Sequence, residues 1–210
     1  MEITEDLTIP NLFYRKATEY GDNKVAMREK EFGIWRPYTW TDYLRKVKYI
    51  ALGLVKMGLE PGDKVSMIGD NRPEGLMAEM AALCSGGVGV WLFQDCLMEE
   101  VRYIIDHSDT RFMFGEGQEE ADKAISIFKE CPKLEKVIWD DPKGMRNYDH
   151  DFLISLEEVM DLGRQLDEEQ PGLFKELIDK GKGQDVALLF YTSGTTSLPK
   201  GALLSHYNML

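Results

Sequence analysis

Ten consecutive residues near the carboxyl end of the sequence could bind an anion. The segment TSGTTSLPKG (192–201) combines five hydroxyl side chains with two glycines and one lysine. Glycines let successive backbone N–H groups converge, hydroxyls donate further hydrogen bonds, and a lysine supplies positive charge. We interpret the segment as a phosphate-binding loop, with a hydroxyl-rich turn that binds nothing as the alternative on composition alone.

The residues before the loop predict where it lies in the fold. VALLFY (186–191) is an apolar run typical of a buried parallel strand. In an open α/β sheet, ligands bind beyond the carboxyl ends of the strands, where this loop would lie. The loop is not the P-loop of ATPases, because Pro199 stands where that motif needs glycine and Gly201 where it needs a hydroxyl. A different kind of phosphate loop is therefore expected.

Short apolar runs recur before this strand and predict the fold class. Their first strongly apolar residues follow one another at spacings of 23, 24 and 25 and are Val65, Val88, Phe112 and Val137. Amphipathic helical patterns lie between them, around Leu97–Ser108 and Ala121–Phe128. Strand–helix–strand units of this size form right-handed crossovers in a mostly parallel sheet. We predict an α/β fold in which a mostly parallel sheet is flanked by helices.

The amino-terminal part has a different pattern. A helix over about Asn11–Tyr20 leads to two candidate strands, KVAMREK and GIWRPYTW, which we expect to form a hairpin. Thr41 is the expected N-cap of the next helix, whose inward face would carry Leu44, Val47, Ala51 and Leu54.

The pattern becomes looser between residues 140 and 185. A polar loop is followed by SLEEVMDLGRQL, which predicts a surface helix, and by PGLFKELIDKGKG, which predicts a second one. We interpret 140–185 as a surface insertion or linker within a single partial domain that spans 1–210. The segment SHYNML after the loop is expected to begin a covering helix.

Composition excludes several classes of function. The 210 residues carry a formal charge of −12, which argues against nucleic acid as a partner and disfavours docking on anionic lipid through a basic patch. Cys84, Cys96 and Cys131 are widely spaced and form no CxxC pair, so we interpret them as reduced packing thiols. The first ten residues lack the basic start of a signal peptide. A cytoplasmic protein is the expectation.

One apolar stretch approaches the length of a membrane span. Leu76–Phe93 has 18 residues and a single charge, at Glu79. Glycines interrupt it and a β-rich run follows them, which favours a buried helix followed by a buried strand. We therefore predict no transmembrane segment.

The string YTSGTTSLPKG (191–201) resembles the signature loop of the adenylate-forming superfamily, [YF]-[TS]-S-G-[TS]-T-G-x-P-K-G. Ten of its eleven positions match. Two further stretches, YTWTDYL (38–44) and CSGGVGVWLFQD (84–95), resemble the first and second core motifs of that superfamily. EFGIWRPYTW, IGDNRPE and FQDCLMEEV are similar to the branch that activates long-chain fatty acids. The sequence thus resembles the amino-terminal portion of a long-chain acyl-CoA synthetase, and an unrelated flavodoxin-like nucleotide binder is disfavoured.

This resemblance implies an ATP-dependent acid–thiol ligase. A carboxylate attacks the α-phosphate of ATP to give an acyl-adenylate and pyrophosphate, and the thiol of coenzyme A then displaces AMP. The loop would bind the β- and γ-phosphates, with Mg²⁺ nearby. Carried over by position, the nucleotide-binding residues are Thr192, Ser193, Gly194, Thr195, Thr196 and Lys200. Neither a catalytic residue nor a metal ligand is assigned.

Two departures from the superfamily limit this expectation. Ser197 stands where glycine is usual, and we expect it to weaken ATP binding. The superfamily places its remaining substrate walls and a carboxy-terminal domain after the loop, so we expect this chain alone to be inactive. Its partners would be ATP, a fatty acid and coenzyme A in the longer enzyme, together with a second copy or the missing carboxy-terminal portion. The alternative is a stand-alone, non-catalytic module that binds nucleotide, acyl groups or another protein. His107, His150 and His206 are interpreted as surface or helix-end residues.

Overall fold

The computed structural model describes residues 7–192 and 198–210. The strands of this part of the chain are β1 (Val25–Glu31), β2 (Ile34–Thr39), β3 (Lys64–Ile68), β4 (Val88–Leu92), β5 (Thr110–Gly115), β6 (Lys136–Trp139), β7 (Leu153–Ser155), β8 (Val186–Thr192) and β9 (Lys200–Ser205). The first two form an antiparallel hairpin, and the other seven form one sheet in the order β7-β6-β5-β3-β4-β8-β9. Strands β3 to β8 are all parallel, and only β9 runs antiparallel to its neighbour.

Helices cover both faces of the sheet. They are α1 (Ile9–Tyr20), α2 (Trp40–Lys56), α3 (Pro73–Cys84), α4 (Met98–His107), α5 (Gln118–Ile127), α6 (Leu156–Glu169), α7 (Leu173–Lys180) and α8 (His206–Met209). Side chains of α1, α2, α3, α6 and α7 form one apolar core with β3 and β5, and α4 and α5 form a second core on the other face. Because both faces are buried, the strands are nearly continuous apolar runs. The predicted α/β class with a mostly parallel sheet is confirmed.

Local sequence signals explain the amino-terminal elements. The two expected strands form the hairpin, with Phe32 and Gly33 at its turn. The N-cap of α2 is Thr39, so the prediction of Thr41 was wrong. The Thr39 hydroxyl accepts from the backbone N–H of Asp42 at 3.1 Å, and the Asp42 carboxylate accepts from the Thr39 N–H at 3.1 Å. This reciprocal capping box places the N-cap of the helix two residues before the predicted Thr41.

Residues 140–185 are built into the sheet and its helical cover. Strand β7 pairs with β6 at the edge of the sheet, and α6 packs along α2. The predicted surface helix is thus a core helix on one face, with Leu156, Val159 and Leu166 buried. Gly53 of α2 and Gly163 of α6 let the two backbones touch. A glycine within the apolar stripe of a helix was the missed signal of this close approach.

The apolar stretch Leu76–Phe93 divides into α3 and β4 around a glycine turn, as expected. Within 7–192 and 198–210, no helix combines the length and the apolarity that a bilayer crossing requires. The three cysteines are free, and Cys84 and Cys131 are buried, as expected for packing thiols. Burial raises the pKa of the Cys131 thiol to about 11, so this thiol is protonated at neutral pH.

Candidate functional site

The predicted phosphate loop joins two paired strands at the carboxyl edge of the sheet. Thr192, at the end of β8, lies directly opposite Lys200, at the start of β9. These two predicted site residues therefore form the base of the loop. The other predicted site residues, Ser193, Gly194, Thr195 and Thr196, lie outside the described residues, as does Ser197.

The chain continues from the loop in an unexpected way. A strand, β9, follows directly, and the helix expected over SHYNML begins at His206 with Ser205 as its N-cap. The alternation in Gly201–Ser205 explains the strand, because Leu204 packs against Leu83 and Leu188 while Leu203 stays exposed. The loop is thus held at both ends by the strand pairing rather than by a strand and a helix.

Helix α4 holds both stems of the loop from the side. The Tyr103 hydroxyl donates to the backbone carbonyl of Pro199 at 3.1 Å. His107 Nδ1 lies 2.8 Å from the Tyr191 hydroxyl, and the Tyr103 and His107 rings lie 5.2 Å apart. Burial raises the pKa of Tyr191 to about 12, so its hydroxyl keeps its proton and can donate to His107.

Sequence reasoning missed this contact. His107 was interpreted as a helix-end residue, whereas the structure gives it a partner within the signature loop itself. The one available signal was spacing, because Tyr103 and His107 are four residues apart and share a face of α4.

An open cavity of about 470 Å³ lies beside the loop, at the carboxyl ends of β3, β4 and β8. Its lining includes Gly69–Asn71, Trp91–Asp95 and Phe190–Tyr191. The exposed side chains of Phe93 and Phe190 line it, and so do polar residues such as Gln94. Its size and mixed lining are typical of small-molecule sites. In the described part of the chain, no cluster of three or more potential metal ligands is present.

Arg72 connects the hairpin to the same edge of the sheet. Its guanidinium lies 3.0 Å from Glu116, 3.3 Å from Glu29 and 3.8 Å from Glu74. The Tyr38 hydroxyl lies within hydrogen-bonding distance of Glu29 and Glu74, at 3.2 Å and 3.4 Å. The arginine, which lies in the IGDNRPE stretch, thus neutralises carboxylates from β1, α3 and the end of β5.

Asp140 lies beside this cluster and is expected to make stability depend on pH. Burial, with the negative charge of Glu74, raises the pKa of its carboxyl to about 6. Because the pKa is higher in the folded state than the ordinary value of 3.8, the contribution of this carboxyl to stability is fully present below pH 3.8. That contribution is lost as the pH rises through about 6. Asp140→Asn should therefore increase the free energy of unfolding by about 1–2 kcal/mol at pH 7.5, a figure already reduced for partial exposure.

Thermal unfolding of both proteins at pH 7.5 and pH 4 checks this expectation. The gain should disappear at pH 4, where the folded protein carries a neutral Asp140. Asp149→Asn, an exposed aspartate in the same segment, is the matched control and should change little. An equal gain at both pH values would contradict the assignment.

Comparison with known proteins agrees with this geometry. Residues 13–210 match the family of AMP-binding enzymes. The long-chain-fatty-acid–CoA ligase ACSBG2 of Xenopus laevis is 29% identical over 205 residues, which covers 97% of this chain and 27% of that protein. The corresponding ligase ACSBG1 of Bos taurus is 30% identical over 203 residues, which covers 96% of this chain and 27% of that protein. The chain thus spans less than a third of the length of these relatives.

Solved structures show the same fold. An anthranilate CoA ligase, AuaEII, superposes with a TM-score of 0.78 at 18% identity, covering 98% of this chain and 36% of that one. The adenylation domain of a carboxylate reductase from Mycobacterium chelonae gives a TM-score of 0.76 at 19% identity, covering 96% and 35%. The chain has the fold of the amino-terminal part of these adenylation domains.

Proposed function

Because the chain belongs to the family of AMP-binding enzymes, we propose that it forms the triphosphate-binding part of an ATP-dependent acid–thiol ligase. One observation carries this proposal. The signature loop is held at its base by Thr192 and Lys200, at the carboxyl edge of a parallel sheet and beside an open cavity. Ligands of open α/β sheets bind at this edge.

In the proposed reaction, a carboxylate oxygen attacks the α-phosphorus of ATP, and the bond to the leaving pyrophosphate breaks. The coenzyme A thiolate then attacks the acyl carbon, and AMP leaves. Such transfers depend mainly on positioning and on neutralising negative charge. Lys200 supplies the charge, and the hydroxyls and N–H groups of Thr192, Ser193, Gly194, Thr195 and Thr196 are the proposed donors.

The anchors on α4 act on the geometry of the loop. Tyr103 holds the stem at Pro199 and His107 holds the stem at Tyr191. Mg²⁺ would neutralise phosphate charge when it arrives with the nucleotide. The hydroxyls and the ammonium group of the proposed loop suit phosphate oxygens rather than a cation, so we assign no metal ligand.

We propose a long-chain fatty acid as the carboxylate. The relatives at 29% and 30% identity are named long-chain-fatty-acid–CoA ligases. The cavity beside the loop presents Trp91, Phe93 and Phe190, side chains that suit an apolar chain. A cytoplasmic location is part of the proposal, because three free cysteines suit a reducing compartment.

The native gene product tests the proposal. It would be captured from its own cells with an antibody against these 210 residues, sized, and assayed for exchange of pyrophosphate into ATP with palmitate or acetate. We expect a mass well above 24.1 kDa and exchange that depends on palmitate. A 24.1 kDa product that binds Mg-ATP without exchange would support the stand-alone binding module instead. A product of either size that neither exchanges nor binds Mg-ATP would overturn the nucleotide site.

A further inference from the structure

The turn of the β1–β2 hairpin exposes three large apolar side chains. Phe32 is 92% exposed, Ile34 67% and Trp35 61%. Phe32 also has a positive φ of 47°, a left-handed conformation in which asparagine, aspartate or glycine is favoured. Glycine readily adopts the φ of 82° found at Gly33, whereas phenylalanine is unfavourable at the φ of 47° found at Phe32. Packing within the described chain gives no reason for an aromatic residue at this position.

The outer face of the same hairpin is basic. Arg28 pairs with Pro37 and Lys30 with Trp35, so these four side chains share one face. The Lys30 Nζ lies 5.9 Å from the centroid of the Trp35 ring. All residues of both strands are described, and this face carries no carboxylate.

The two carboxylates of the hairpin lie on its other face and are neutralised. Glu29 is bound by Arg72 and is only 16% exposed, and Glu31 pairs with Arg36 at 2.9 Å. The hairpin therefore presents positive charge on a chain whose net charge is −12. The expectation that no basic patch docks on lipid came from that net charge, which averages over a locally different surface.

We propose that this hairpin docks on an anionic lipid surface. Phe32, at the turn, enters the boundary between headgroups and acyl chains, and Trp35, on the basic face, lies at headgroup level, the depth that tryptophan favours. Ile34 pairs with Glu31 on the opposite face and is not part of this contact. Arg28 and Lys30 bind the anionic headgroups, each adding attraction near the surface. The acidic remainder of the chain is repelled, so only the hairpin makes contact and binding is reversible. This surface is separate from the nucleotide site, and the inference does not depend on the proposed function.

Sedimentation of the 210-residue chain with lipid vesicles tests this inference. One set of vesicles contains phosphatidylcholine alone, and the other contains about one-third phosphatidylserine. We expect binding to the anionic set that weakens with added salt. Phe32→Asn should reduce the bound fraction on the order of tenfold, because one buried aromatic side chain is lost. Its melting temperature should stay equal or rise, since asparagine tolerates the left-handed conformation.

Two further variants separate the contributions. Arg28→Gln combined with Lys30→Gln should remove the preference for anionic vesicles. Leu203→Asn is the control for exposed apolar surface, because Leu203 is 62% exposed on β9, and it should bind vesicles like the unmodified chain.

Three results would overturn the inference. The first is absence of binding to anionic vesicles, and the second is an equal loss in Phe32→Asn and Leu203→Asn. The third is a dimer in analytical ultracentrifugation that Phe32→Asn converts to monomer while vesicle binding is unchanged, which would assign the tip to a contact between two copies of the chain.

Discussion

Replacing Gly163 by alanine is expected to lower the free energy of unfolding by about 3 kcal/mol or more, close to the limit for a single methyl group. A Cβ on Gly163 would lie 2.7 Å from the carbonyl carbon of Tyr49 and 3.0 Å from the backbone nitrogen of Gly53, and it would overlap the Tyr49 oxygen. These are backbone atoms of a helix and cannot rotate away. Helices α2 and α6 would have to separate, and the buried residues between them would lose contact.

Gly53, on the facing side of α2, is equally close to the backbone of α6. A Cβ on Gly53 would lie 2.7 Å from Val159 Cγ1 and 2.9 Å from the Val159 carbonyl carbon. Separating the helices would also loosen Ile50 and Leu166, which belong to the same apolar core. The loss is therefore larger than the overlap of one methyl group suggests.

Denaturant unfolding of Gly163→Ala and of a matched control measures the effect. Gly181→Ala is the control, because Gly181 has φ −65° and its added Cβ would meet Ile178 and Thr8 at ordinary contact distances of 3.5 Å. It should leave stability unchanged or raise it by about 0.5 kcal/mol, since alanine restricts the unfolded chain. If Gly163→Ala lost less than about 1 kcal/mol, the two helices would be further apart than described here.

This helix contact also marks where sequence reasoning fell short. The strands that begin near Val65, Val88, Phe112 and Val137 were predictable, because each is a short apolar run between amphipathic helical patterns. Strand β7 has only three residues and follows a polar loop, so no periodicity revealed it. Helix α6 was assigned to the surface because the pattern is looser between residues 140 and 185, whereas the glycine in its apolar stripe marks close contact with a helix distant in sequence.

The candidate site also has features that were predictable from the sequence and features that were not. Its position followed from the order of strand and loop, since a loop after a parallel strand must lie at the carboxyl edge. Its anchors did not, because Tyr103 is 96 residues from Pro199 and His107 is 84 residues from Tyr191. Only the sheet order, which places β8 next to β4 and hence near α4, brings them together. The pairing of Thr192 with Lys200 likewise depends on β9, a strand whose alternation spans only Gly201–Ser205 and was too short to be recognised in advance.

That pairing makes Lys200 the strongest point for testing the chemistry. In the proposed ligase, Lys200→Ala is expected to reduce palmitate-dependent pyrophosphate exchange about a hundredfold, the typical loss when one group that stabilises developing charge is removed. Lys200 is exposed at the base of the loop, so the Lys200→Ala variant should have nearly the same melting temperature as the unmodified protein. Lys200→Arg keeps the positive charge with a different shape and should retain part of the activity.

Lys64→Ala is the matched control for Lys200→Ala. Lys64 is also the first residue of a strand, but β3 begins at the opposite edge of the sheet. Its removal should leave exchange unchanged, which would separate a local charge at the loop from a change in the net charge of the protein. Activity of Lys200→Ala within about threefold of the unmodified enzyme would contradict the assignment of Lys200 to the phosphates. A loss confined to KM for ATP would assign the charge to ground-state binding, whereas a loss in kcat would place it on the leaving pyrophosphate.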